Sequence, residues 1–464
     1  MQDLIPVHIG LMGHIDHGKT ELARVLSEKV STAGLDKHPQ AKERGITIDL
    51  GFTMFVLEEY LVTLVDAPGH ADLIRSVVAS AGIIDAAILV VAADQGPQVQ
   101  TGEHIVVLRA MGIETVVVVI AKTDLVDSDR LDAVKAQVEG IIDGVGFKTV
   151  KYVGVSAAES KGIEELRATL LDVIRPIVRN TEALFLMPVD HSFNVRGHGT
   201  VLTGTVLRGR ISVGDTVQIL PQGTTARLRA IQTYGTSREE AKAGDRIGIN
   251  VPEIDSKLVS RGDYVCVNGQ LQNTSGIIAD LKLNPLYRGR ITYRMNVSAT
   301  VGMPTLTAEL VPFAIDDGKA VISELTTESE FSAALLLQRK VAVEKGMKVL
   351  LLRTDLPPTN MRIVASGQVA EVPDSVRLHL RSERRGQVSR VRENDVLLEG
   401  LAHSNKSAAM LVGSRVESRD GAYGLLLKPF GTRGVIAASF DSPITVGEEV
   451  VFASLKEVEL QFGR

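Results

Sequence analysis

One stretch near the start of the chain constrains the fold more than any other feature: residues 13–20 read Gly-His-Ile-Asp-His-Gly-Lys-Thr. An apolar run, 7–12, precedes it, and a segment with helical spacing of Leu22, Val25 and Leu26 follows it. Glycines let backbone amides approach an anion, and the start of a helix adds the positive end of its dipole. We therefore predict a phosphate-binding loop at a strand-to-helix junction rather than a chance match in a turn.

In a phosphate-binding loop of this type, the lysine and the residue after it have defined roles. Lys19 is expected to contact the β and γ phosphates, and Thr20 is expected to ligate Mg²⁺. The predicted nucleotide contacts here are Gly13, His14, Ile15, Asp16, His17, Gly18, Lys19 and Thr20.

Length and composition limit what can surround this loop. A chain of 464 residues is too long for one core and indicates three or four domains. The single cysteine, Cys266, excludes a disulfide framework and a cysteine-based zinc site. No signal-like segment and no apolar run of the ~18 residues that a membrane span needs are present, so we expect a cytoplasmic protein without membrane contact. The net charge of −5 leaves room only for local basic surfaces.

Up to about residue 179, short Val- and Ile-rich runs alternate with segments of helical period. The runs after the first are residues 61–65, 86–91, 115–120 and 150–155. This alternation predicts a parallel sheet with helices on both faces. Ligands of such sheets bind at the carboxyl ends of the strands.

Two polar motifs near strand ends suit the phosphates and the metal. Thr47, in a polar connection after the first helix, can bring its hydroxyl to Mg²⁺. Asp66 closes the run 61–65 and can hold the metal through water, while the Gly69 amide can bind a γ-phosphate. Taken singly, each has a simpler explanation: a helix cap, a turn glycine or a solvated hydroxyl. Their order along the chain favours the nucleotide site.

Two further motifs suit a guanine base. Lys122-Thr123-Asp124 closes the run 115–120, and a carboxylate there accepts hydrogen bonds from the N1 and N2 edge of guanine, which adenine does not offer. Ser156 and Ala157 end the next run and can present backbone amides to the base.

These segments, in this order, resemble those of the translational GTPases. Within that superfamily, the chain resembles the archaeal and eukaryotic branch of the selenocysteine-specific elongation factors in the sequences of residues 31–52, 189–193, 199–205 and 428–434. This resemblance covers nearly the whole chain. The resemblance implies that Ile15 and Ile46 form an apolar gate beside His70. It also implies that His70 is the catalytic residue, which orients the attacking water when the ribosome triggers GTP hydrolysis.

One departure from the family pattern concerns the guanine motif. The family usually has Asn-Lys-x-Asp, and this chain has Ala121 in the Asn position. The missing side chain would contact the base and brace the phosphate loop, so nucleotide affinity is affected more than guanine choice, which Asp124 retains. Ala158 also stands where a Lys is frequent.

After about Pro176 the period changes from helix to strand, and a glycine-centred turn recurs. It appears at Gly214, Gly244, Gly262, Gly346 and Gly447. Irregularly spaced hairpin signals of this kind predict barrels. We therefore predict an α/β P-loop GTPase domain followed by three small β-barrel domains, with boundaries at 1–182, 183–272, 273–372 and 373–464.

The last of these segments begins with clustered arginines. Residues 376–464 nevertheless hold 13 lysines and arginines against 11 aspartates and glutamates. Two interpretations stay open: a solvated arginine-rich strand face, or a contact with RNA or the ribosome. The resemblance implies a further possibility for this last domain, a contact with the selenocysteine-insertion mRNA element or its binding protein.

Together, residues and resemblance predict a monomeric GTPase that uses GTP and Mg²⁺ to deliver selenocysteinyl-tRNA to the ribosome at recoded UGA codons. A related factor carrying another aminoacyl-tRNA or acting at another ribosomal step is the first alternative. An initiator-tRNA-binding initiation factor subunit is the second, although it normally carries a cysteine-rich zinc insertion. A non-catalytic nucleotide-binding scaffold is the third, and Thr47 and His70 argue against it.

Cargo choice is expected to depend on charge. At neutral pH the selenol of selenocysteine is an anion whereas the serine hydroxyl is neutral, so a cationic pocket separates the two. Arg246 lies in the first barrel, where the resemblance places the aminoacyl pocket, as do Asp190 and His191. The guanidinium suits an anion, and Asp190 can bind the amino group or orient the guanidinium. The alternative is a surface ion pair of Arg246 and Asp190 that braces two strands.

Overall fold

The computed structural model describes residues 4–27, 51–66, 83–233, 236–357 and 359–463. The chain divides into two compact units. The first comprises Met1–Pro312, Leu325–Asp374 and Phe462–Arg464, and the second comprises Phe313–Glu324 and Ser375–Gln461. Within the described ranges, no helix has both the length and the apolarity to cross a bilayer.

A six-stranded sheet with order β2-β3-β1-β4-β5-β6 forms the first domain. Its strands are β1 (Ile5–Gly13), β2 (Gly51–Leu57), β3 (Tyr60–Asp66), β4 (Ala86–Ala92), β5 (Thr115–Ala121) and β6 (Thr149–Val155). Its described helices are α1 (Lys19–Ser27), α2 (Val99–Ala110), α3 (Ser128–Ile142) and α4 (Ile163–Val173). Every predicted strand is present. These strands pair parallel, as predicted, and the structure adds β2, which pairs antiparallel with β3 at one edge.

Successive residues of the central strands enter different cores, which is why these strands read as unbroken apolar runs. Val118 of β5 packs with Val134 of α3 on one face. Val119 packs with Leu166 of α4 on the other. All four side chains are fully buried, and burial of each stabilises the domain by roughly 1.5–3 kcal/mol.

The second domain is built from short antiparallel strands. They are β7 (Leu186–Val195), β8 (Gly199–Thr205), β9 (Arg210–Ser212), β10 (Thr216–Leu220), β11 (Thr224–Arg227), β12 (Ala230–Thr233), β13 (Thr236–Arg238), β14 (Glu240–Lys242), β15 (Arg246–Asn250) and β16 (Tyr264–Cys266). Eight of them form a sheet with order β11-β10-β16-β7-β8-β15-β12-β13, and β14 pairs with β9.

Six of the next nine strands close a ring. The nine are β17 (Gln272–Leu283), β18 (Ile291–Thr292), β19 (Met295–Val301), β20 (Thr305–Asp316), β21 (Lys319–Ile322), β22 (Leu325–Thr326), β23 (Glu330–Val343), β24 (Lys348–Leu352) and β25 (Ile363–Glu371). The ring runs β19-β24-β25-β17-β23-β20 and closes by pairing of β19 with β20.

The second unit contains another closed ring. Its elements are β26 (Ser375–Val391), β27 (Val396–Glu399), α5 (Asn405–Ala409), β28 (Arg415–Ser418), β29 (Tyr423–Phe430), β30 (Val435–Phe440) and β31 (Glu449–Gln461). The order is β26-β27-β30-β29-β28-β31, closed by β26 with β31. Strand β21 also belongs to this unit and pairs parallel with β26.

The recurring glycine turns are confirmed, and the backbone explains the residue type. Gly214, Gly244, Gly262, Gly346 and Gly447 have φ of +97°, +98°, +90°, +87° and +89°. Only glycine adopts this region without steric cost. An α/β domain followed by small β-barrels, as predicted from the sequence, is what the structure shows.

Candidate nucleotide-binding site

The loop between β1 and α1 has positive φ angles at three positions. Gly13 has φ of +151°, and a Cβ at this position would lie 2.3 Å from the carbonyl oxygen of Val90. Gly18 has φ of +90°, and Asp16 is left-handed at +60°. Gly13 and Gly18 are therefore required by the backbone path of this loop, the phosphate cradle that the sequence predicts.

Lys19 provides the positive charge of this cradle. Its Nζ donates hydrogen bonds of 2.9 Å to the carbonyl oxygens of both Gly13 and His14. Lys19 is only 7% exposed, so its charge is poorly screened by solvent. Thr20 follows in the first turn of α1 and is exposed. A buried ammonium beside a helix start and a glycine-shaped loop fits a polyphosphate.

Two histidines are buried at this site, His17 within the loop and His104 of α2. His17 is fully buried, and its Nδ1 lies 3.3 Å from the carbonyl oxygen of Val90. Burial lowers the pKa of His17 to about 4. His104 of α2 is 1% exposed, and burial, followed by the charge of Lys19, lowers its pKa to about 3. Both imidazoles are neutral at physiological pH, so they add no net charge beneath the loop.

The two motifs predicted to contact the guanine base meet at the same edge of the sheet. Ala121 of β5 pairs with Val155 of β6, which brings residues 122–124 beside residues 156–157. Lys122 is left-handed at φ +59°, and Asp124 lies in the 3₁₀ helix Thr123–Leu125.

The second base-side loop is held by its own hydrogen bonds. Ser156 is fully buried, and its hydroxyl oxygen accepts from the Glu159 amide at 3.1 Å. Lys161 returns to Ser156 through paired backbone bonds. The hydrogen bond to Glu159 is the main cause that raises the pKa of Lys161, and the charge of Asp124 adds to it. The Lys161 ammonium itself is paired with the Glu159 carboxylate at 2.6 Å.

Ala121 stands directly beside the phosphate loop. It is 6% exposed, and its Cβ lies 3.9 Å from the point where a Cβ on Gly18 would stand. A longer polar side chain at position 121 would therefore reach the loop backbone. The sequence pointed to this position only by comparison with a family pattern.

Other predicted contacts are only partly visible. Asp66 ends β3 opposite Leu11 of β1, at the edge of the sheet that carries the loop. Thr47, Gly69 and His70 lie outside the residues that the structure describes.

The three residues predicted for the cargo pocket are neighbours in the second domain. Asp190 of β7 accepts from Arg246 Nη1 of β15 and from the Thr203 hydroxyl of β8, and His191 Nδ1 lies 3.1 Å from its Oδ1. The side chains of Asp190 and Arg246 are 5% and 15% exposed, so the ion pair exists but is not a surface pair. Burial alone raises the pKa of Asp190, but Arg246 and His191 outweigh it and hold the pKa far below its usual range.

One buried ion pair was missed in the sequence. Glu103 of α2 is fully buried and receives Arg362 Nε at 3.0 Å and Nη2 at 2.7 Å, together with the Arg362 amide at 3.1 Å. The partners are 259 residues apart, so no local pattern indicates the contact. The same helix contacts β1, which leads into the phosphate loop, and β25 of the first closed ring, so α2 joins the two.

Family models match three parts of the chain. The elongation factor Tu GTP binding domain matches residues 6–176, elongation factor Tu domain 2 matches residues 199–266, and domain III of the archaeal selenocysteine-specific elongation factor matches residues 271–373.

Two individual proteins show similarity over the full length. The selenocysteine-specific elongation factor of Methanocaldococcus jannaschii is 35% identical over 461 residues, covering 97% of this chain and 98% of that protein. The crystal structure of translation elongation factor SelB from Methanococcus maripaludis without ligand has a TM-score of 0.80 and 34% identity, over 98% of this chain and 99% of that one. The same factor in complex with the GTP analogue GppNHp has a TM-score of 0.81 and 35% identity.

Proposed function

This chain belongs to the selenocysteine-specific elongation factors, a family of translational GTPases, and from that premise we propose that it delivers selenocysteinyl-tRNA to the ribosome for recoding of UGA. The observation that carries the proposal is the Lys19 cradle within a chain that matches such a factor over 97% of its length. Binding and hydrolysis of GTP follow from the family. The initiation factor subunit and the non-catalytic scaffold are not favoured by these comparisons.

In the proposed mechanism the loop binds the phosphates and Lys19 balances charge that develops on the β and γ oxygens. Thr20, Thr47 and Asp66 would hold Mg²⁺, which neutralises phosphate charge. Asp124 reads guanine, and His70 orients the attacking water.

We propose that Asp190, His191 and Arg246 form the aminoacyl pocket. Asp190 fixes the guanidinium of Arg246 from the neighbouring strand, and the side chain of His191 is 36% exposed beside it. A fixed cation flanked by an accessible imidazole suits a selenolate better than a neutral hydroxyl. The pocket therefore gives a physical basis for the choice between selenocysteine and its precursor serine.

The deciding experiment compares selenocysteinyl-, seryl- and another aminoacyl-tRNA for binding to the GTP-bound protein. Arg246→Ala should weaken selenocysteinyl-tRNA binding by about 2–3 kcal/mol and leave seryl-tRNA binding nearly unchanged. Arg208→Ala is the matched control, because Arg208 also lies in this domain and forms a part-buried ion pair, with Glu344 of the following domain at 2.8 Å.

Two results would contradict the cargo proposal. If Arg246→Ala weakened all tRNAs equally, as a structural strut would, the pocket assignment would fail. If the wild-type protein preferred another aminoacyl-tRNA, the chain would be a family member that carries a different cargo.

We further propose a monomer with domains at 1–182, 183–272, 273–372 and 373–464. The last domain is proposed to contact the selenocysteine-insertion mRNA element or its binding protein, or the ribosome.

A further inference from the structure

Three of the five arginines of β26 form ion pairs with neighbouring acids. The pairs are Arg377 with Glu457 at 3.9 Å, Arg381 with Glu383 at 3.7 Å, and Arg385 with Glu449 at 3.3 Å. All six side chains are well exposed. A strand face with this local balance has little attraction for a polyanion, so the basic composition of β26 does not by itself mark an RNA surface.

A different part of the same unit carries cations without such balance. The turn between β29 and β30, with the residues on either side of it, is here called the hairpin tip (residues 428–435). Lys428 and Arg433 of the tip are exposed, as is Lys406 of the adjoining helix α5. Over the described ranges, no carboxylate lies within ion-pair distance of these three side chains.

The hairpin tip is held rigidly against the chain before it. Asn405 Nδ2 donates to the carbonyl oxygen of Gly431 at 2.5 Å. Gly434 has φ of +75°, and a Cβ there would lie 2.3 Å from the carbonyl oxygen of Ala402. The cations are therefore presented by a backbone that is already ordered, which lowers the entropy cost of binding.

An exposed aromatic ring stands among them. Phe430 is 42% exposed, and the guanidinium carbon of Arg392 lies 4.6 Å from its ring centroid. Asp395 holds Arg392 through bonds of 2.6 and 2.8 Å. The charge of Arg392 is thus balanced by Asp395, and the Arg392 guanidinium packs over the Phe430 ring and helps to hold it in place.

We propose that the hairpin tip binds a single-stranded RNA segment, with Lys406, Lys428 and Arg433 on phosphates and Phe430 stacked on an unpaired base. Exposed lysines are depleted in protein interfaces, whereas cations around an aromatic ring are typical of single-strand binding. A duplex does not suit the site, because its bases are stacked and cannot reach the ring. This inference rests on the proposed function for the presence of RNA, since the factor acts among tRNA, mRNA and ribosomal RNA.

The test measures binding of a short fluorescein-labelled oligouridylate to the full chain by fluorescence anisotropy at several KCl concentrations. Phe430→Ala should weaken binding by roughly 5- to 150-fold, as loss of one stacked base predicts. Phe430→Leu keeps an apolar side chain for folding but removes the stacking face, so it should weaken binding similarly. Arg385→Gln, at an exposed and ion-paired arginine, is the control and should leave binding unchanged.

Salt dependence tests the phosphate contacts separately. Three contacts predict a slope of about −2 in log affinity against log salt concentration, and Lys428→Gln with Arg433→Gln should bring it to about −0.7. A duplex of the same length should bind no better to wild type than to Phe430→Leu.

Several results would overturn the proposal: wild-type affinity in both Phe430 variants, an unchanged salt slope, or no binding to the oligouridylate at all. The last would leave the tip as a protein contact. Binding of a selenocysteine tRNA transcript to the same variants identifies the source of the strand. Equal weakening there would place the strand in tRNA, and weakening of the oligouridylate alone would place it in messenger or ribosomal RNA. Failure of the cargo proposal at Arg246 would not alter oligouridylate binding.

Discussion

The buried pair of Glu103 and Arg362 offers a sharp quantitative test of how the first domain is tied to the first closed ring. We expect Arg362→Met to leave the Glu103 carboxylate buried with only the backbone amide of residue 362 as a partner. Two hydrogen bonds to the charged group are lost, each worth about 1.5–3 kcal/mol. Removal of one partner of a buried ion pair costs about 3–5 kcal/mol. Because the 3.1 Å amide bond survives, we expect the lower end, about 3 kcal/mol.

Hydrogen exchange measured by mass spectrometry resolves this loss, whereas a global unfolding curve of a multidomain chain does not. A loss of about 3 kcal/mol should speed exchange in α2 and β25 by roughly two orders of magnitude where those amides exchange through the affected opening. The control is Arg353→Met, because Arg353 pairs with Asp355, which is 62% exposed. Such a pair contributes at most about 1 kcal/mol.

The double variant Glu103→Leu with Arg362→Met separates a missing partner from a missing contact. With both charges removed, no carboxylate is left buried alone, so protection should return to within about 1 kcal/mol of wild type. If Arg362→Met accelerated exchange no more than Arg353→Met, or if the double variant were as labile as the single one, the argument from an uncompensated buried charge would be refuted.

Three other predictions concern the nucleotide site. Ala121→Asn should tighten GDP and GTP binding, measured by fluorescent nucleotide titration, because its side chain would reach the loop at Gly18; unchanged affinity would show that the position does not brace the loop. Burial lowers the pKa of His104 to about 3, so below pH ~6.5 its imidazole binds fewer protons in the folded protein than in the unfolded chain. The contribution of His104 to stability is therefore complete above pH ~6.5 and is lost as the pH falls towards 3. His104→Asn should therefore reduce the pH dependence of α2 exchange, after correction for intrinsic rates, by up to about 1.4 kcal/mol per pH unit between pH 6 and 5. His70→Ala should leave GTP and tRNA binding near wild type but slow single-turnover hydrolysis on the ribosome by roughly 10² or more, and an unaltered rate would remove His70 from catalysis.

What the sequence by itself determined is local in origin. The loop at 13–20 was predictable because its glycine positions, the preceding apolar run and the following helical period are all properties of neighbouring residues. The strands of the first sheet were predictable for the same reason, since a strand buried on both faces is apolar at every position. The five glycine turns belong here as well, because a positive φ is a requirement of the single residue.

Tertiary structure decided the features that depend on which distant segments meet. In the sequence, Glu103 looks like an ordinary polar residue of a helix. Only the fold places Arg362, which is 259 residues away along the chain, beside it. Arg246 and Asp190 could be named from the sequence, but only the pairing of β7 with β8 and of β8 with β15 shows that they form a buried pair.

The tertiary structure likewise determines which cations of the last domain lie beside acidic side chains. In the sequence, the arginines of β26 are conspicuous, whereas Lys428 and Arg433 of the hairpin tip are not. The antiparallel partner β31 supplies acids to β26, including Glu457 and Glu449, whereas the turn after Phe430 contacts Asn405 of α5 through a hydrogen bond. The electrostatic field around a side chain is set by every charge within about a Debye length, and sequence order does not determine which charges those are.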